Sequence, residues 1–296
     1  MSTMGSTTTK APKEAGSMLE YDFMRTAFLA GGIVAVTAGT VGYFLVLRGQ
    51  TFAGHALAHV GFTGATGAVL IGASPLFGLV SFTVLAGIAM GILGEKLSSR
   101  DVAIGMILSL ALGLGLLFLH FYTAYATQVT ALLFGNVLGV DETQLWTLGL
   151  LAVVSLLVLG IILRPLVFAS LQPELAEAKG VSLRLVSIVF LMIVAVAVAE
   201  CSQIVGVLLV FTLMVGPAAA AQRLTTHFAF GVGVAALLAL AEAWGGIALA
   251  YWTDLPTSFW ITCLSAAAYF ASLSPQLWSR LRRLAAERAI PAIEKS

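Results

Sequence analysis

The run LWTLGLLAVVSLLVLGIIL, residues 145–163, holds nineteen positions without a charge. A helix needs about 20 mainly apolar residues to cross the hydrocarbon core of a bilayer, so this run reads as a span. Comparable runs fall at 26–47, 55–73, 76–93, 102–119, 183–199, 203–221, 229–251 and 257–273, the sixth and seventh of the nine being short. The 296-residue chain is 59% hydrophobic and 10% charged, which no soluble core requires. The expected fold class is all-α, a polytopic transmembrane helix bundle of about 8–9 spans set in membrane lipid.

Around that bundle the composition changes. Residues 1–22 are rich in Ser, Thr, Lys and Glu and have no apolar segment of the signal-peptide kind, so they read as a flexible polar tail. Residues 23–275 form the transmembrane domain and 276–296 a basic tail. The stretch from Gln128 to Val140 is too short to cross and is interrupted by Gly135, Asn136 and Gly139, which predicts a re-entrant or interfacial piece. Cys201 and Cys263 lie in or beside apolar runs and read as free thiols.

Charge sets the expected orientation. Lys96 and Arg100, then Arg164, Lys179 and Arg184, then Arg223, then Arg280, Arg282, Arg283 and Arg288 follow alternate spans, and Lys and Arg mark cytoplasmic loops. Arg48 and the C-terminus are then cytoplasmic and the N-terminal tail lies outside, against the weaker contrary signal of Lys10, Lys13 and Arg25. The opposite loops carry Asp141, Glu142 and Asp254. Net charge is +1 and the cations form no continuous stripe, so nucleic acid is not an expected partner.

Within the apolar runs, polar residues are the exceptions that need a reason. His55 and His59 stand four residues apart and share a helix face. Two neutral imidazoles at that spacing can bind one transition-metal ion. Thr51 before them and Thr63 and Thr66 after them suggest a polar pathway, and Gly54, Ala58, Gly61, Gly64, Ala65 and Gly67 would let other helices approach. The zinc-hydrolase motif would place Glu after the first His, where this chain has Ala56. Glu200 and Glu242 are the charges inside predicted spans away from their ends. Either could complete a metal site; Glu200 could instead line the outer mouth beside Ser202 and Gln203, and Glu242 could link helices near Trp244. His120, near Tyr122 and Tyr125, and His227 read as ordinary interfacial residues.

The longest inner loop, within 165–185, contains LQPELAEAKGVSLRL. Gln172 stands near the cap, Pro173 opens a short helix, Glu174 and Glu177 fall within it, and Lys179 and Gly180 close it. It reads as a loop cap or a cytoplasmic docking helix. No G-x-x-x-x-G-K-[ST] phosphate loop occurs, so any ATP hydrolysis belongs to another subunit and the chain is not expected to be an enzyme.

Three segments together resemble the permease subunits of the zinc and manganese branch of ABC importers, the ABC type 3 family. They are FLVLRGQTFAGHALAHVGFTGA (44–65), FGNVLGV (134–140) and LLVFTLMVGPAAAAQRL (208–224), with ELAEAKGV (174–181) between the second and third. The likeness implies a permease at 23–275 in the cell membrane, with transported Zn²⁺ or Mn²⁺ as cargo and no permanently bound cofactor. It also implies a second copy of the permease, a cytoplasmic ABC ATPase resting on Pro173–Gly180, and an extracytoplasmic solute-binding protein that delivers metal. His55 stands where the family commonly has Asp, and two nitrogens favour Zn²⁺ over Mn²⁺. Alternative readings are a permease for a metal chelate or siderophore, or a secondary carrier that uses Glu200 and Glu242 without an ATPase.

Overall fold

A computed structural model describes residue 18 and residues 20–93, 97–121 and 132–289, with side chains placed for all of these except 97–100 and 274–289. Most of the N-terminal tail with Lys10 and Lys13, together with Lys96, Tyr122, Tyr125 and residues 290–296, lies outside the described residues, as do the side chains of Arg100, Arg280, Arg282, Arg283 and Arg288.

Each of the nine apolar runs falls mainly on one helix. The helices are α1 (Asp22–Leu47), α2 (Thr51–Leu70), α3 (Pro75–Leu93), α4 (Leu97–His120) and α5 (Glu142–Leu171), then α7 (Leu183–Ile204), α8 (Val210–Leu224), α9 (Phe228–Thr253) and α10 (Thr257–Ala289), with the short α6 (Pro173–Ala178) between α5 and α7. Among the described residues six helices, α1, α3, α4, α5, α7 and α9, are long and apolar enough to cross a membrane. Helix α2 has 20 residues, but its Gly, Thr and His dilute its apolarity. The fold is an all-α membrane bundle.

Burial orders the helices. Within their apolar windows α1 is 72% and α7 67% buried, whereas α4 is 17% and α5 22%. Helices α1 and α7 therefore form the centre, and α4 and α5 turn Leu110, Leu116, Leu150 and Ile161 outward, as a lipid-facing surface requires. Helix α2 packs on α3, α4 and α7. It crosses α3 at Gly64 and Gly78, where a methyl on either would collide with the other's carbonyl.

Several boundaries differ from the sequence reading. The run 203–221 is broken: α7 continues through Glu200 to Ile204, residues 205–209 leave the helix, and α8 starts at Val210. The charge of Glu200 does not end α7, because the residue is wholly buried inside the bundle. Helix α5 runs past Arg164 and Pro165 to Leu171, and α10 past Leu273 to Ala289. Helix α6 has the form its sequence implies, with Pro173 at its first turn, Glu174 after it, and Gly180 at φ +83° just beyond its end.

The irregular backbone after α7 lies against the FGNVLGV segment. Amides of Val207 and Leu208 donate to the carbonyls of Leu132 and Leu133, and the amide of Asn136 donates to Gln203. Ser258, at the start of α10, donates to the carbonyls of Phe134 and Val205 and so clips both strands of this crossing. Gly135 and Gly206 sit face to face at φ +79° and +84°, and a methyl on either would strike the other's backbone. Polar backbone outside a helix is thereby satisfied inside the protein.

The charges divide between the two ends of the bundle. Arg48 bonds to the end of α5 and the start of α7, Arg164 lies beside Phe228, and Arg184 shares a cleft with Glu177. Asp141, which caps α5, and Asp254, which ends α9, mark the opposite end.

The Gly135–Gly206 crossing gives a stability prediction. Gly206→Ala combines a left-handed backbone with a backbone collision and should cost roughly 3 kcal/mol or more. Gly180→Ala, with open space around it, should cost about 1 kcal/mol. Thermal unfolding midpoints of the detergent-solubilised proteins check the order; equal shifts would contradict it.

Candidate metal pathway site

Helix α2 starts from a tight turn at Arg48–Gly49–Gln50, in which Gly49 takes φ +61° and the Gln50 amide donates to the Leu45 carbonyl. Its small residues then fix which way the helix faces. Gly54 lies against Leu45, Gly61 against Leu79 and Thr83, and Gly64 against α3. The side left over carries His55 and His59.

The two imidazoles are half-buried, with ring centroids 4.8 Å apart and planes at 84°. His55 also meets the ring of Phe211, the second residue of α8, at 5.9 Å. Phe52, three residues before His55 on α2, and Leu208 and Phe211, on either side of the start of α8, are exposed at 41%, 43% and 42%. The imidazoles thus stand on an open apolar face, close enough to share one ion.

The other residues singled out in the sequence occupy different settings. Thr51 opens α2 and is half-buried, one turn before His55. Thr63 and Thr66 are enclosed. Thr63 donates to the Ala111 carbonyl of α4 at 2.7 Å, and Thr66 to the carbonyls of Phe62 and Thr63, both at 3.0 Å. Glu200 and Glu242 are buried within α7 and α9, and their carboxylate oxygens have no hydrogen-bond partner among the described residues. The link near Glu242 is made by Trp244, whose indole donates to the Phe28 carbonyl of α1.

Among the described residues no three His, Cys, Asp or Glu side chains come together as a metal site, so neither Glu joins the His pair in this way within one chain. His120 meets the Phe121 ring edge-on and His227 precedes α9, both exposed. Cys201 is a buried free thiol and Cys263 an exposed one.

At the basic end, α6 stands out from the bundle. Only Ala176 is buried; Pro173, Glu174, Leu175, Glu177, Lys179 and Gly180 are exposed. Lys179 reaches over the Phe168 ring at 5.9 Å, which holds the end of α6 to α5.

The sequence pattern of the ABC 3 transport family matches residues 20–276. The chain belongs to that family. The manganese transport system membrane protein MntC of Halalkalibacterium halodurans is 29% identical to this ABC 3 family chain over 261 residues, 86% of this chain and 89% of that one. A Haemophilus influenzae protein named "Probable iron transport system membrane protein" is 27% identical over 267 residues, 89% of this chain and 96% of its own. The solved complex "PsaBC from Streptococcus pneumoniae in complex with Fab" matches with a TM-score of 0.78 at 24% identity, covering 87% of this chain and 93% of that chain, a likeness of fold. Membership makes this chain a membrane-embedded transport component.

Two features were not legible in the sequence. Phe211 meets His55 only because α8 starts at Val210, and Arg48, counted as a topological charge, is a hub of hydrogen bonds. The placement of Thr63 predicts that Thr63→Val lowers stability by about 0.6 kcal/mol and leaves metal affinity at the His pair unchanged. Thermal unfolding and metal titration of the purified protein check both parts.

Proposed function

We propose that this chain is the permease subunit of an ATP-driven importer of a divalent transition-metal ion, Zn²⁺ or Mn²⁺, which passes between two copies of the permease at His55 and His59. The observation that carries this reading is the His pair itself: two half-buried imidazoles 4.8 Å apart on a helix whose small residues pack against its neighbours. A second copy covering Phe52, Leu208 and Phe211 would bring two more imidazoles, and four nitrogens make a set that Zn²⁺ accepts. The names of the relatives, manganese and iron transport proteins, support metal as the class of cargo. The nitrogen-only ligand set favours Zn²⁺ over Mn²⁺.

In this reading a separate cytoplasmic ABC ATPase docks on α6, where Leu175 stands exposed among Glu174, Glu177 and Lys179. An extracytoplasmic solute-binding protein delivers the ion at the acidic end. The protein spans the cell membrane many times, with Arg48, α6 and the C-terminus in the cytoplasm, as the gathering of cations at one end supports. The permease does no chemistry on the ion. It holds the ion through two imidazoles per copy, and ATP-driven movement at α6 changes which side the pair faces.

Metal accumulation in cells expressing the whole transporter tests this. His55→Ala, His59→Ala and the double variant should each abolish Zn²⁺ or Mn²⁺ uptake without loss of assembled complex; unchanged uptake would move the ion's path elsewhere. His55→Asp adds an oxygen ligand and should raise Mn²⁺ uptake relative to Zn²⁺. A second outcome concerns pH. Only neutral imidazole ligates, so apparent metal affinity of the purified protein should fall across the range over which the medium is acidified. An affinity flat across that range would count against the His pair.

A further inference from the structure

Arg48 occupies a position that its role as a topological charge does not explain. It ends α1, three residues before α2 begins at Thr51. Its Nη1 donates to Ser170 Oγ at 3.1 Å and its Nη2 to Ser187 Oγ at 2.9 Å. Its Nε donates to the Gln50 side-chain oxygen at 3.3 Å, and its guanidinium carbon lies 5.5 Å from the centre of the Phe190 ring. The Ser170 hydroxyl donates its own hydrogen bond to the Leu166 carbonyl, which leaves its oxygen lone pairs to accept from Arg48.

The two serines flank α6 in the chain. Ser170 lies at the end of α5, just before Pro173, and Ser187 in the first turns of α7, just after Gly180. Ser187 also lines the cleft of about 670 Å³ behind α6, together with Glu177 and Gly180. One planar fork thus grips both stems of the protruding helix and is covalently continuous with the turn that starts α2. Lysine has the charge but not the fork, so it cannot hold both serines in this geometry.

We propose that Arg48 is the positioning residue that couples α6 to the His-bearing helix α2, so that a displacement imposed on α6 moves the start of α2. The proposal rests on the reading of α6 as the ATPase dock. Packed helices shift as whole bodies more readily than they deform, and α2 is locked to α3 through Gly64 and Gly78 in its farther half. Its start, beside Arg48, is where a push from α6 enters.

The test uses the complete transporter, permease with its ATPase, reconstituted in lipid vesicles. Four quantities are read: assembled complex, Mn²⁺ or Zn²⁺ binding without nucleotide, ATP hydrolysis, and ATP-driven metal uptake. Arg48→Gln, Arg48→Lys and the double variant Ser170→Ala with Ser187→Ala should assemble and bind metal like the parent. Their uptake per ATP hydrolysed should fall about tenfold. The serine variant retains Arg48 and guards against misfolding of the arginine variants. Uptake that falls only in step with the amount of assembled complex, or a parental uptake-to-hydrolysis ratio in all three, overturns the proposal. Leu175→Asp separates this from the reading beneath it. If that variant still captures the ATPase, α6 is not the dock and the coupling role falls with it. If it loses the ATPase while Arg48→Gln transports at the parental ratio, the role of Arg48 alone is refuted.

Discussion

A backbone amide or carbonyl in hydrocarbon must find its partner inside the protein, and this constraint shapes the chain more than any side chain does. Helices satisfy it automatically. An exception among the described residues is the non-helical backbone after α7, which is bonded to Leu132 and Leu133 and clipped by Ser258. That exception fixes the site. Because the amides of Val207 and Leu208 are spent on Leu132 and Leu133, the helix resumes as α8 only at Val210, and Phe211 comes to rest against His55.

The fold was legible because hydropathy is a signal summed over about 20 residues. Each apolar run falls mainly on one helix of the described residues. Boundaries were less legible because a single charge or glycine does not report its surroundings. The apolar run 183–199 stops just before Glu200, yet that residue is buried in the bundle and α7 passes through it. Gly206 reads as an ordinary small residue in an apolar run, yet its partner across the crossing, Gly135, lies far away in sequence.

The same distinction runs through the candidate site. The spacing of His55 and His59 fixes their shared face by helix geometry alone. Thr66 lies at nearly the same azimuth as His55, about 20° away at 100° per residue, yet it is buried where the His pair is open. Periodicity gives the direction of a side chain and not what covers it. Thr63, about 80° round from His55, is drawn to α4 by the Ala111 carbonyl. The polar stripe seen in the sequence is therefore two things in space: an open imidazole pair near the start of α2 and hydroxyls that fasten its farther half.

This division decides how α2 can move. Its farther half is fastened to α3 at the Gly64–Gly78 crossing and to α4 through Thr63, contacts too close to yield by small side-chain adjustments. Its near end joins α1 through a glycine turn and carries the open His face. A tilt of α2 about its fastened half would carry His55 and His59 through the largest arc while leaving the packed crossing in place. Small residues at the crossing and imidazoles near the start of α2 thus divide one helix between packing and an exposed polar pair, the latter at the end where Arg48 also lies.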